Sequence, residues 1–111
     1  MGSTDSLLGA LELLVLKALE NGAMHGWGIT LHLQSASNEV LRVEEGSLYP
    51  ALHRMEKAGW VKAEWGLSEN NRRARFYRIT AAGRNQLRSE QEKWESVAQA
   101  IALVLSSKAL A

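Results

Sequence analysis

Residues 46–79 read GSLYPALHRMEKAGWVKAEWGLSENNRRARFYRI, a short amphipathic segment followed by two apolar-alternating segments around a polar, arginine-rich tip. Leu48, Leu52 and Met55 recur at helical spacing, so the first part predicts a helix over about Ser47–Ala58 that stops at Gly59. Proline is tolerated in a first turn and disruptive further in, so Pro50 favours Ser47 as the N-cap. Val61, Ala63 and Trp65 then alternate with Lys62 and Glu64, which predicts a strand with one wet face. Tyr77 and Ile79 repeat the pattern on a return strand, and Gly66–Arg73 reads as a long, mobile polar loop between them. A helix sized for the major groove beside a basic hairpin is the layout of a winged helix-turn-helix. The expected class is mostly α with a small β-hairpin wing, plus a C-terminal dimerisation helix.

Charge follows the same division. Residues 46–79 carry seven basic side chains against three glutamates, a balance of +4, whereas residues 1–45 carry two against six, a balance of −4. The net charge of +1 therefore hides a dipolar chain, and that segregation suits a polyanionic partner. At 111 residues, with 46% hydrophobic and 23% charged residues, the composition is that of one soluble globular domain. There are no cysteines, so disulfides and thiolate metal sites are excluded. The opening MGSTDSLLGALELLVLKAL lacks a basic leader, and Glu12 and Lys17 interrupt its apolar run. A cytoplasmic location with no membrane partner is the expectation.

Outward from the central stretch, residues 1–6 read as a disordered tail and residues 7–80 as the winged domain. Leu7, Leu8, Leu11, Leu14 and Val15 share one face of a first helix reaching about Glu20, while Leu13, Leu16 and Leu19 occupy much of another. A helix apolar on two sides is expected between its own core and a second subunit. Asn21-Gly22 is expected to end it through a left-handed glycine. A second helix should run over about Gly26–Ser37 with Ile29, Leu33 and Ala36 inward, and Leu41 and Val43 form an extended link. Thr80 is a good N-cap for a last helix, residues 81–106. Within it Leu87, Trp94 and Ile101 fall seven apart with Val97 and Val104 between, a short heptad seam suited to a homodimer.

Ser47, Tyr49, Pro50, His53, Arg54 and Lys57 lie off the buried stripe of the third helix and form the candidate DNA-reading face. Hydroxyl and amine donors suit phosphate oxygens, and a proline edge suits a thymine methyl. Tyr49 has a competing reading as a core residue with its hydroxyl at the rim. Arg72, Arg73 and Arg75 crowd the hairpin tip, where like charges repel, and suit phosphates or a narrow minor groove. Arg78, between buried neighbours, reads as cover for its strand. His25-Gly26 reads as a tight turn, with a phosphate contact at the following helix start as an addition. The three histidines have no ligand spacing, so no metal is expected, nor any cofactor. No histidine has a nucleophile or carboxylate partner, and an enzyme is not expected.

Four blocks in order, LELLVLKAL, MHGWGI, GSLYPALHRMEKAGWV and RRARFYRITAAGRNQL, resemble the PadR family of bacterial transcriptional regulators over about Leu7–Leu105. The resemblance is to its short-tailed branch with a single C-terminal helix and, with SENNRRA at the wing tip, to a subgroup found beside permease genes in acidobacteria. It implies a homodimer, built by the first and last helices, that binds a pseudo-palindromic operator in double-stranded DNA, usually as a repressor. It also places the start of the recognition helix about one turn before Ser47, against the proline argument. In some short-tailed relatives the tryptophan matching Trp94 lines a pore between subunits and stacks planar aromatic or cationic small molecules. Packing in a dimer seam is the other reading of Trp94. A winged-helix module that binds an acidic protein instead of DNA is the alternative function, since fold alone does not separate the two.

Overall fold

The computed structural model describes residues 3–109, with side chains from Ala10 onward. Its elements are α1 (Ser3–Ala18), β1 (Met24–His25), α2 (Gly26–Ala36), α3 (Glu45–Lys57), β2 (Val61–Leu67), β3 (Arg73–Ile79) and α4 (Ala81–Ser106). Helix α1 begins inside the stretch read as a tail, and the Leu7 and Leu8 side chains lie outside the described residues. No helix of the described residues is long and apolar enough to cross a membrane.

The core forms where α1, α2 and α3 meet the inner face of the sheet. Val15, Leu16, Leu19, Ile29, Leu48, Leu52, Met55 and Val61 are all fully buried there. Leu11 and Leu13 are buried too, and Leu14 is half-buried. Helices α2, α3 and α4 all pack against α1, while Leu14 borders an open hollow. Ala36, expected inward, is exposed, because it is the last residue of α2, where the chain turns off through Ser37. Thr30 is buried in its place, with no hydrogen-bond partner for its hydroxyl among the described residues.

Helix α3 starts at Glu45, not after Ser47. Both the Ser47 and Leu48 amides donate to the Glu44 carbonyl, at 3.0 and 2.9 Å, so the first turn is already formed when Pro50 arrives. Pro50 has no N–H for the Gly46 carbonyl, but Gly46 is exposed and water can serve it. Leu48, Ala51, Leu52 and Met55 form the buried side of α3. The helix ends in a Schellman turn: Gly59, at φ +83°, donates to Glu56, and Trp60 donates to Met55. Gly22, by contrast, does not take the left-handed conformation expected of it; α1 stops at Ala18 and unwinds through successive turns.

The sheet has the order β1-β3-β2, all antiparallel, with Val61 opposite Ile79 and Leu67 opposite Arg73. Strand β1 pairs Met24 with Tyr77 and His25 with Phe76, an edge that two residues were too short to announce. The strands reach further than expected, leaving only Ser68–Arg72 as the loop, closed by a Ser68 N–H bond to the Arg72 carbonyl and by Asn71 at φ +61°.

Helix α4 begins as expected at the Thr80 cap, whose hydroxyl accepts the Gly83 amide and donates to the Gly59 carbonyl. Leu87 joins the core, and from Glu92 onward α4 is exposed on every side. The molecule is accordingly elongated, 63 × 28 × 26 Å.

Candidate nucleic-acid interface

Packing of Leu48, Ala51, Leu52 and Met55 against the core turns the opposite side of α3 to solvent. Ser47, Tyr49, Pro50, His53, Arg54 and Lys57 are all exposed on it. Two ion pairs flank this face. Arg54 Nε donates to Glu12 of α1 at 3.0 Å, and Arg75 of the wing reaches Glu56 of α3 at 2.9 Å. Both pairs are largely solvated, which makes each worth roughly 0–1 kcal/mol and open to exchange for another anion. Lys57, Arg72 and Arg73 have no carboxylate partner among the described residues. Arg78 pairs with Glu64 across the strands, in keeping with its reading as cover for the sheet.

The wing and α3 converge on a cleft of about 540 Å³ lined by Tyr49, Arg72, Arg73 and Arg75 together with His25 and Trp27 of the α2 start. The fold thus gathers the wing arginines and one helix residue around one space. Ser47 instead borders a smaller, 220 Å³ apolar hollow with Leu11, Leu14 and Val43. Tyr49 is 45% exposed, so the core reading of it does not hold. Its ring lies across Gly26, where a β-carbon would sit 2.5 Å from the phenol oxygen. Behind the cleft, burial pushes the Tyr77 phenol above its usual range, more than nearby Arg75 lowers it.

Trp65, expected inward, stands 63% exposed on the wing with the Arg73 guanidinium 4.6 Å above its ring. The sheet outruns the helices by that point, so the inner face of β2 has nothing left to pack on, and a cation–π contact takes its place. His25-Gly26 is no free tight turn: His25 belongs to β1, and its Nδ1 caps α2 by accepting the Gly28 amide at 3.1 Å. The capping role and the exposure of Trp27 and Trp65 escaped the reading of the sequence. Only the HGWG motif at the helix start hinted at them.

The profile of the transcriptional regulator PadR-like family matches residues 15–89, from the middle of α1 into α4. The chain belongs to the PadR-like family of transcriptional regulators. A transcriptional regulator of Mycobacterium tuberculosis is 34% identical over 92 residues, 83% of this chain and 82% of that protein. Among solved structures, a transcriptional regulator from Clostridium thermocellum superposes with a TM-score of 0.79 at 30% identity, covering 88% of this chain and 95% of the other. A PadR-like transcriptional regulator from Bacillus cereus does so with a TM-score of 0.79 at 26% identity, covering 94% and 99%. The winged-helix class and the long C-terminal helix are thereby shared with PadR-like proteins, and the family's work is regulation of transcription. In this PadR-like chain the family match ends at Ser89, so the exposed part of α4, including Trp94, lies beyond it.

Proposed function

We propose that the chain is a homodimeric repressor that binds a pseudo-palindromic operator in double-stranded DNA. The observation that carries this is the cleft at which Tyr49 of the exposed α3 face meets Arg72, Arg73 and Arg75 of the wing. Ser47, Tyr49, Pro50 and His53 would face base edges and nearby phosphates, while Lys57, Arg72 and Arg73 hold the backbone. Arg54 and Arg75 join them by exchanging Glu12 and Glu56 for phosphate. Dimerisation is supported by α4, where Trp94, Val97, Ile101 and Val104 are each about half exposed or more. Fluorescence anisotropy with a duplex from the chain's own promoter, against a random duplex over a salt series, tests the reading. Operator binding at least about a thousandfold tighter than random binding is the expected result. Capture of an acidic protein with no DNA binding at any salt would replace it with the protein-interaction module.

Release by a planar aromatic or cationic small molecule at Trp94 is the finer part of the proposal. Trp94 is 48% exposed, so a second subunit packed on α4 would enclose its ring further. A planar aromatic cation is expected to quench tryptophan fluorescence with micromolar affinity, about 8 kcal/mol, and to lose that affinity in a Trp94→Phe variant that stays dimeric. The same quenching in the variant would return Trp94 to a packing role.

A further inference from the structure

The wing cleft contains a donor that neither the helix face nor the arginines account for. His25 is 9% exposed, and its Nδ1 is committed as acceptor of the Gly28 amide. In the neutral ring the proton therefore sits on Nε2, which faces the cleft. The Glu69 carboxylate lies 3.8 Å away, beyond hydrogen-bond reach. The Nε2–H opens on the cleft without a hydrogen-bond partner among the described residues, so it is free to donate to an anion's oxygen there.

The surroundings agree with that reading. The first turn of α2, the positive end of an 11-residue helix, opens on the same space. The Tyr49 phenol crosses Gly26 at its edge, and Arg72 and Arg73 stand on its far wall. Glu69 is the one carboxylate lining this basic cleft, sits on the wing loop with its side chain 84% exposed, and makes no hydrogen bond among the described residues. Its carboxylate hangs where an anion belongs, without closing on the donors.

We infer that the cleft is a seat for one phosphodiester of the DNA backbone, with His25 Nε2–H as the donor at its floor. Glu69 is the built-in stand-in that the phosphate displaces. A phosphate presents its oxygens to imidazole, phenol and guanidinium together, which a carboxylate tethered to the loop does not. The seat rests on the reading of the chain as a duplex-DNA binder. Because phosphates carry no sequence information, both residues act equally on operator and random DNA.

The test is anisotropy of the full chain with both duplexes at one fixed salt concentration. Glu69→Gln is expected to tighten both by about fivefold, the upper end for an exposed charge pair. His25→Asn keeps a side-chain oxygen to cap α2 but has no donor at the Nε2 position, and is expected to weaken both by about tenfold. NMR of the His25 ring nitrogens in the wild-type chain is the third measurement, with Nε2 expected to shift on adding random duplex. If wild type binds DNA and both variants match it, the seat falls and the DNA reading stands. If wild type binds no DNA, both fall. A variant that alters the ratio of operator to random binding makes its residue a base reader and overturns the phosphate seat. A ring shift with inorganic phosphate but none with duplex assigns the seat to a free anion and overturns the backbone. Should His25→Asn not fold, Glu69→Gln, on the exposed loop, and the ring shift decide the matter.

Discussion

Tyr49 acquires its place from a residue that makes no contact with DNA in the proposal. Gly26 opens α2, and its missing side chain is what lets the phenol lie across the helix start. A methyl group there meets only the far end of Tyr49, which can swing away, so Gly26→Ala should not unfold the domain. Alanine is also the better helix former by about 1 kcal/mol. The expected outcome is a melting temperature equal to or above wild type, with the ratio of operator to random binding lowered as far as in Tyr49→Ala. Anisotropy and thermal melting on the same samples check this; a fully specific Gly26→Ala variant would remove Tyr49 from base reading. The two arginines already paired in the free chain, Arg54 and Arg75, differ from Arg72 and Arg73 in the same experiment. Each must first give up a glutamate, so its alanine variant should lose less affinity than the corresponding change at Arg72.

At the scale of elements, the wing is a clamp only if its charges meet phosphate. Replacing Arg72, Arg73 and Arg75 together with alanine should weaken binding to every duplex. The slope of log affinity against log salt should also fall by about one unit for each phosphate no longer neutralised, up to about three. An unchanged slope would rule the clamp out. The junction of α3, β2 and α4 is a second unit with its own test. The Thr80 amide donates to the Trp60 carbonyl at 3.0 Å, and a β-carbon on Gly83 would come within 2.1 Å of that same carbonyl oxygen. Backbone, unlike the tip of a tyrosine, has no room to yield. Gly83→Ala is therefore expected to cost about 3 kcal/mol, read as a lower midpoint in urea denaturation. A midpoint within error of wild type would mean that α4 does not dock as tightly as the structure shows.

For the whole molecule, the question is what covers the outer half of α4. In helix α1, Leu11, Leu13 and Leu16 are buried at home and Leu14 only in part. A demand for a partner comes from Trp94, Val97, Ile101, Leu103, Val104 and Leu105, which stand 48–80% exposed on one projecting helix. Apolar surface of that extent on a small domain marks an interface. Light scattering at micromolar concentration is expected to give twice the 12.3 kDa chain mass, and the double variant Ile101→Glu, Val104→Glu is expected to give the single mass. A monomeric wild-type chain would contradict the dimer, and with it two recognition helices about 34 Å apart on one face of DNA. The double variant also separates assembly from reading. As a folded monomer it should keep salt-dependent binding to random duplex while losing most of its operator affinity.

Periodicity and end signals settled whatever depends on near neighbours in the chain. Leu48, Leu52 and Met55 had to share a face because a helix repeats every 3.6 residues, which in turn exposed Ser47, Tyr49, His53 and Lys57. Thr80 capped its helix because its hydroxyl needs only the amide three residues on. Packing decided the rest. Pro50 argued locally for a late start to α3, yet the first turn closes on the Glu44 carbonyl and leaves only the exposed Gly46 carbonyl to water. Trp65 alternated correctly and still faced solvent, since alternation chooses a side of the sheet and not how far the core extends beneath it. The two-residue strand at Met24–His25, the Arg54–Glu12 pair and the cleft that unites His25, Tyr49 and the wing all join residues far apart in the chain. Such contacts have no period and no spacing, because they exist only once separate elements have been brought against one core.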